Sequence, residues 1–412
     1  MIEGIKLFIL DVMIRGWLLL ITYVAVEHVF HVENLKLYAF IILSALMVER
    51  IFYYVKYWDF ITMPYSLKLI TRPTSEAKEG KVYLDQFTHY DKKHNIAYFY
   101  NRNAIKCEEY QLNRLNEIVH FLGIHDKPIE VDIKPHKSKE VKLQFYRLPL
   151  FIECNNPLLS LEHGKIFYGY YKEGKYLVAL ENQTHMITVG ESGSGKSNFM
   201  NLLILSLLYN ESMIDYLVMI DLKAPELSRY QHIVNVSFID SVEAVDTLFQ
   251  RLKELMNERF QHMKEHNELV YSGKPIYVIF DEVGTLGTHH DKKLKDSIFA
   301  NMIELFQKGR AAKIILLLFA QKIDSTNIPT NVLTNIQSKV LMKTDSDFNV
   351  NNTIGTQEDI QLITKTKVAD FNKGRAIVKD GITSEKHLIQ VPYLAEKTQN
   401  VMIKYFEAMI DS

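Results

Sequence analysis

His185-Met186-Ile187-Thr188-Val189-Gly190-Glu191-Ser192-Gly193-Ser194-Gly195-Lys196-Ser197 leads into an apolar run, Asn198 to Tyr209, that holds neither Gly nor Pro. His185 to Val189 reads as a short buried strand and the run from Asn198 as a buried helix. Between them lies a complete phosphate-binding loop, Gly190 to Ser197. Its strand–loop–helix setting separates a nucleotide site from a chance match. The glycines let backbone N–H groups curl around a β-phosphate, and the helix N-terminus adds unpaired donors and partial positive charge. Lys196 would reach the β- and γ-phosphates, and the Ser197 hydroxyl would ligate Mg²⁺. The stretch predicts binding of a nucleoside triphosphate.

Outward from the loop, the pattern alternates strand and helix. Tyr216 to Ile220 and Val234 to Ile239 are short apolar strands, and Ile276 to Phe280 and Ile314 to Phe319 are continuous apolar runs, as strands buried on both faces should be. Asp240-Ser241-Val242-Glu243 resembles a capping box opening a long helix, whose stripe runs Val245, Leu248, Leu252, Leu255, Met256, Phe260, Met263. A parallel sheet sandwiched by helices follows. The strand Ile276 to Phe280 delivers Asp281-Glu282. Opposite Lys196, Asp281 would hold Mg²⁺ and Glu282 would position and polarise an attacking water. Gln321 closes the strand Ile314 to Ala320, at the end that faces the ligand crevice in such sheets. There its amide would sense a γ-phosphate. Arg310 is either an ordinary surface arginine or a charge given to a neighbouring subunit's phosphates; residue type leaves both open.

The 412 residues predict two or three domains, and 47% hydrophobic with 24% charged residues supply ample core. A formal net charge of −1 excludes a uniformly basic nucleic-acid binder but not basic groups gathered in a pore or groove. Cys107 and Cys154 are far apart, so neither a disulfide framework nor a zinc site is expected, and a reducing compartment is the simpler inference. The scattered histidines, His289-His290 among them, are expected in loops.

The N-terminus differs. Leu7 to Val26 is apolar but for Asp11 and Arg15, and Leu37 to Val55 is apolar but for Glu49 and Arg50. Each approaches the ~20 residues that cross a bilayer. The expectation is a transmembrane helical hairpin within residues 1–58, with spans of about 7–26 and 37–55. Asp11 and Arg15, four apart, would pair. Trp17, Tyr53, Tyr54, Tyr57 and Trp58 supply interfacial aromatics, and Lys6, Arg50 and Lys56 suit inner flanks. That gives a multi-pass cell-membrane protein with its nucleotide site in the cytoplasm and no removable signal peptide. The alternative is a pair of buried or interfacial amphipathic helices. Residues 59–160 read as a small α+β cytoplasmic region, with strands at 95–100 and 141–146. A helix over 108–122 carries Leu112, Leu115, Ile118, Val119 and Leu122 on one stripe. A hairpin pairs 165–171 with 175–180. Residues 161–412 form the nucleotide-binding part.

Four ordered motifs carry a resemblance: His185 to Ser197; Ile220-Asp221-Leu222-Lys223-Ala224-Pro225-Glu226-Leu227; Phe280-Asp281-Glu282; and Gly309-Arg310-Ala311-Ala312 with Ala320-Gln321. Over roughly residues 160–393 the chain resembles the FtsK/SpoIIIE motor family. The resemblance implies an α/β, RecA-like P-loop NTPase motor that hydrolyses ATP with Mg²⁺. Members form rings, usually hexameric, that pull DNA through a central pore. It further implies an arginine finger acting across subunits for Arg310 and a sensor role for Gln321. Asp221, Lys223 and Glu226 would support the site or the subunit contact.

Two departures bear on the reading. No orientation-reading winged-helix module is expected after the last motor strands, and Lys322 stands where many relatives have Arg. A membrane hairpin, a small domain and one motor look more like TcpA/ConQ-type coupling proteins of Gram-positive mobile elements. These imply a relaxase–DNA complex and a type IV secretion channel as partners. Thr288 to Lys295, with Lys292, Lys293 and Lys295 beside His289 and His290, would line the DNA pore, as would Lys322 to Thr330; a solvated face is the plainer alternative. Other readings are a chromosome-segregating translocase, a type VII protein-secretion ATPase, and a nucleotide-switched scaffold without hydrolysis.

Overall fold

The computed structural model describes residues 9–18, 20, 21, 23, 24, 35–67, 86–100, 115–124, 127, 129–137, 140–223, 226–323 and 328–410. They divide into two units, 1–146 and 147–412. Residues 147–160 belong with the second unit. Arg375 donates to the carbonyls of Leu148 and Pro149, and the backbone of Cys154 binds that of Tyr393.

The first unit is built on an antiparallel sheet of β1 (Gln86–Asp91), β2 (Ile96–Tyr100), β3 (Glu130–His136) and β4 (Glu140–Tyr146), in the order β1-β2-β4-β3. Alternate residues Ala97, Phe99, Val131, Ile133, Val141 and Leu143 turn to one face and bury against Leu115, Ile118 and Val119. Those three carry the described part of the expected helix; its residues 108–114 lie outside the described ones. Upstream, the helix Leu35–Lys56 leaves Ile41, Ile42, Phe52 and Val55 exposed. Asp11 pairs with Arg15 at 3.1 Å, as expected, and also with Arg50.

Among the described residues, no helix is long and apolar enough to cross a membrane. The expected spans, 7–26 and 37–55, therefore gain no support from these helices. Asp11 and Arg15 break the first stretch, Glu49 and Arg50 the second, and residues 7, 8, 19, 22, 25 and 26 lie outside the described ones.

The second unit holds one sheet of β5 (Lys165–Tyr171), β6 (Gly174–Ala179), β7 (Met186–Val189), β8 (Tyr216–Asp221), β9 (Val236–Ile239), β10 (Ile276–Asp281), β11 (Ile314–Ala320), β12 (Ser338–Met342), β13 (Arg375–Lys379) and β14 (Lys386–Gln390). Their order is β6-β5-β14-β13-β12-β7-β11-β10-β8-β9. The run from β12 to β9 is parallel, as expected; β13, β14, β5 and β6 add an antiparallel wing that was not. The 165–180 hairpin is the end of that wing.

Tyr277 and Ile279 face a core shared with the helix Lys196–Tyr209 and with Met402, Ile403 and Phe406 of the C-terminal helix Glu396–Ile410. Ile276, Val278 and Phe280, pointing the other way, are equally buried. A parallel strand covered on both faces requires this.

One local expectation needs correction. The helix Val242–His266 starts after Ser241 without a side-chain cap. Its N3 residue is Ala244, which has no group to reach back, so no capping box forms. His185 lies just before β7, at the head of the stretch expected as a buried strand. It is fully buried beside Phe306, its Nδ1 accepts from Leu316 N at 3.1 Å, and burial pushes its ring down to about 3. A neutral imidazole here staples the start of β7 to β11.

Candidate functional site: a P-loop nucleotide site

Strand order assembles the site. β11 lies between β7, which ends in the phosphate loop, and β10, which ends in the carboxylates. Neighbouring strands sit ~4.8 Å apart, so Gln321 emerges between the two. Gly190 N–H bonds to Ala320 O at 3.2 Å, fixing the loop's exit to the strand beside it. Gly195 has φ +103°, and a Cβ there would meet Gly374 N at 2.9 Å. Only glycine allows that close approach. The helix then begins at Lys196, with its first turn aimed at the cavity.

Lys196 is 8% exposed; its Nζ lies 3.5 Å from Asp281 Oδ1 and 3.4 Å from Glu282 Oε2. The Asp281 contact lacks hydrogen-bond geometry, which leaves Oδ1 a buried oxygen without a hydrogen-bond partner. Burial pushes the Asp281 carboxyl up, Lys196 pulls it back, and Glu226, Asp221 and Glu282 add to the rise. Such a carboxylate is short of positive charge. Glu282 takes a left-handed conformation, φ 50° and ψ 55°, unusual for a residue with a side chain. Its Oε1 accepts from Gln321 N at 3.3 Å. Loop lysine, both carboxylates and Gln321 thus converge as the sequence predicted.

Other expected residues take different posts. Within the loop, Glu191 lines the cavity and is anchored at its edge: its Oε1 accepts from Thr344 Oγ1 at 2.8 Å and Asp345 N at 2.6 Å. Burial opposes its charge, but these donors outweigh burial and hold the carboxyl below its usual value. Asp221 pairs with Asp281 across β8 and β10 and accepts from the backbone of Lys223 and Leu227, which shapes the turn after β8. Lys223 is exposed, Glu226 lines the cavity, and Ala224 and Pro225 lie outside the described residues. Arg310 is exposed at the opposite end of β11, so the structure does not bring it to this site. Lys292 and Lys293 are exposed on the first turn of the helix Lys292–Lys308, Lys295 is held by Gly287 O, and Lys322 is exposed beyond β11.

Ser192, Gly193, Gly195, Lys196 and Ser197 line a cavity of about 500 Å³. Its far wall contains residues no motif had flagged: Lys373, Tyr393, Leu394 and Gln399. Asn198 ties this wall to the loop's helix, donating to Pro392 O and accepting from Leu394 N, each at 2.7 Å. The Lys373 ammonium lies 5.8 Å from the Tyr393 ring centroid. This end offers an aromatic face of the kind a base stacks on. Among the described residues no cluster of three or more acidic, His or Cys side chains could hold a metal. Mg²⁺ in phosphate sites takes only one or two protein ligands, so the Asp281 oxygen and the Ser197 hydroxyl suffice.

Fold and site together define a P-loop ATPase domain. Residues 166–275 match the FtsK/SpoIIIE family model. The DNA translocase FtsK of Mycobacterium leprae (strain TN) is 28% identical over 220 residues, covering 46% of this chain and 26% of the relative. FtsK of Helicobacter pylori (strain J99) is 30% identical over 247 residues, 53% of this chain and 28% of the relative. The match thus spans about a quarter of these relatives' length. Among solved structures, the pCW3 conjugation coupling protein TcpA, in monomer form with ATPgS, superposes with a TM-score of 0.55 at 18% identity, covering 84% of this chain and 98% of that one. ATPases 2 and 3 of EssC from Geobacillus thermodenitrificans reach 0.51 at 17% identity, covering 64% and 52%. These two likenesses establish the fold alone.

Proposed function

We propose that this chain is an ATP-driven DNA translocase that works as a homo-oligomeric, hexameric ring and serves as a membrane-anchored coupling protein in conjugation. The observation that carries the ATPase reading is the meeting of Asp281 and Glu282 with the phosphate-loop Lys196, and of Glu282 with the backbone of Gln321. ATP would lie with its phosphates on the loop and its base toward Tyr393. Lys196 would then leave the carboxylates for the β- and γ-phosphates. Ser197 and Asp281 would hold Mg²⁺, which when bound supplies charge neutralisation on the phosphates. Glu282, freed from Lys196, orients a water and draws off its proton. The Gln321 amide would hydrogen-bond the γ-phosphate, and Arg310 of a neighbouring copy would complete the charge.

DNA as substrate is supported by the likeness to FtsK translocases. Lys292 and Lys293 on a helix's first turn are opposed by the helix dipole, an arrangement that improves when a phosphate sits between them. Lys295 and Lys322 would add to the same backbone contacts, which are salt-sensitive and read little sequence. Conjugation is favoured because the TcpA chain is matched over almost its whole length; a relaxase complex and a type IV secretion channel are then the partners. Membrane anchoring is favoured by the exposed apolar surface of Trp17, Ile21, Phe52 and Val55 beside an Asp11 whose charge is paired. The ATPase unit would face the cytoplasm.

The test is ATP turnover of the full chain with and without DNA, beside Glu282→Gln. Turnover stimulated by DNA, and a variant that binds ATP but barely hydrolyses it, are the expected results. Turnover indifferent to DNA in an assembled ring would overturn the translocase reading and favour a protein substrate, as in type VII secretion.

A further inference from the structure

Between the phosphate loop and the strand end that carries Gln321 lies a buried amide with no part in the chemistry above. Asn349, on the helix Asp347–Thr353, is 1% exposed. Its Nδ2 donates to Gln321 O at 3.4 Å and to Thr344 Oγ1 at 3.1 Å, and its Oδ1 accepts from Ile323 N at 3.1 Å. Every hydrogen of the amide is engaged, which offsets the cost of burying it.

The contacts continue in both directions. Thr344 Oγ1 donates to Glu191 in the phosphate loop. On the other side, Gln321 N donates to Glu282, and Glu282 meets Lys196, again in the loop. Lys196, Glu282, Gln321, Asn349, Thr344 and Glu191 therefore form a closed circuit.

We propose that Asn349 is a positioning residue that couples the γ-phosphate end of the site to the phosphate loop. This rests on the ATPase reading. When Lys196 turns to a nucleotide, Glu282 loses one of its two contacts and keeps the Gln321 N–H. Asn349 grips the chain on both sides of that point, at Gln321 O and Ile323 N. The same amide, through Thr344, restrains Glu191, whose carboxylate would otherwise be free to swing toward an anionic ligand. Polar circuits of this kind act as a unit, so the signature of coupling is non-additivity.

Asn349→Asp is isosteric. It keeps the acceptor for Ile323 N and removes the donors to Gln321 O and Thr344. In the full chain, affinities for ATPγS and ADP, ATP turnover and thermal unfolding are measured together. The preference for ATPγS over ADP and kcat should each fall about ten-fold, with ADP affinity held within about two-fold. Thr344→Val breaks the next bond, and the double variant should be no worse than the worse single one. An unchanged nucleotide preference, or losses that multiply, overturns the proposal. Should Asn349→Asp fail to fold, Thr344→Val decides it by the same preference. A wild-type chain that binds ATPγS without turning over ATP sinks the ATPase reading instead, and the preference still decides the role of Asn349.

Discussion

The two ends of the large sheet carry opposite chemistry. At the carboxyl ends of β7, β10 and β11, Asp281 and Glu282 meet a single buried lysine beside a 500 Å³ cavity. At the amino end of β11, Arg310 borders a second cavity, about 1070 Å³, together with Lys274, Lys308 and Lys313. The strand between them, Ile314–Ala320, spans roughly 20 Å at ~3.3 Å per residue. No arginine side chain covers that distance. Arg310 is thus out of reach of the carboxylates on its own chain, and a head-to-tail arrangement of copies would unite the two.

The opposite end is also built to hold still. Arg259, 4% exposed, donates to Ala312 O at 2.8 Å and Asp215 Oδ2 at 2.9 Å, and its guanidinium lies 4.5 Å from the Tyr271 ring centroid. Tyr271 N donates to Ala311 O. The turn after Arg310 is clamped from two sides.

The contrast breaks most severely at Arg310. Arg310→Ala should lower turnover on the order of 10³-fold while ATP affinity holds. Mixing it with Glu282→Gln subunits should restore part of the rate, because each copy supplies what the other lacks. Wild-type turnover in Arg310→Ala would show that the two ends work independently.

Next comes the clamp. Arg259→Met should cost about 3 kcal/mol in denaturant unfolding, since it leaves buried carbonyls without a donor. An unfolding midpoint that does not move would mean the turn holds without it.

Asp281→Asn sharpens the carboxylate end in the opposite sense. It should end Mg²⁺-dependent ATP binding yet raise the melting temperature of the nucleotide-free protein, on the scale of ~2–4 °C. The sign follows from the raised folded value: the wild-type carboxyl favours folding below the usual aspartate value of 3.8 and loses that contribution as pH rises through its folded value. The gain in the variant should accordingly be present at neutral pH and vanish in acid. A variant that melts lower at pH 7 contradicts this.

The smallest effect belongs to the cavity wall. Tyr393→Ala should weaken ATP binding by about 0.5–1.5 kcal/mol with saturated turnover unchanged, checked by titration with a fluorescent nucleotide.

The residues closest to the chemistry were legible because their function is local. A phosphate loop needs glycines, a lysine and a hydroxyl within one turn, and a catalytic carboxylate must end a buried strand. Lys373, Tyr393, Thr344 and Asn349 were not legible: each reaches the site through an element paired or packed far along the chain, and none carries a motif. The partner of the buried His185 ring was hidden for a related reason. It meets Leu316 N only once β11 lies beside β7.

By itself, then, the sequence determined a nucleotide loop, its partner carboxylates and the strand ends that bear them. Backbone conformation and side-chain chemistry within a few residues suffice for those. Only the tertiary structure decided that β11 separates loop from carboxylates, that Lys373 and Tyr393 beside an antiparallel wing wall the cavity, and that Arg310 faces away. Strand order and register are set by long-range pairing, which no short stretch of chain encodes.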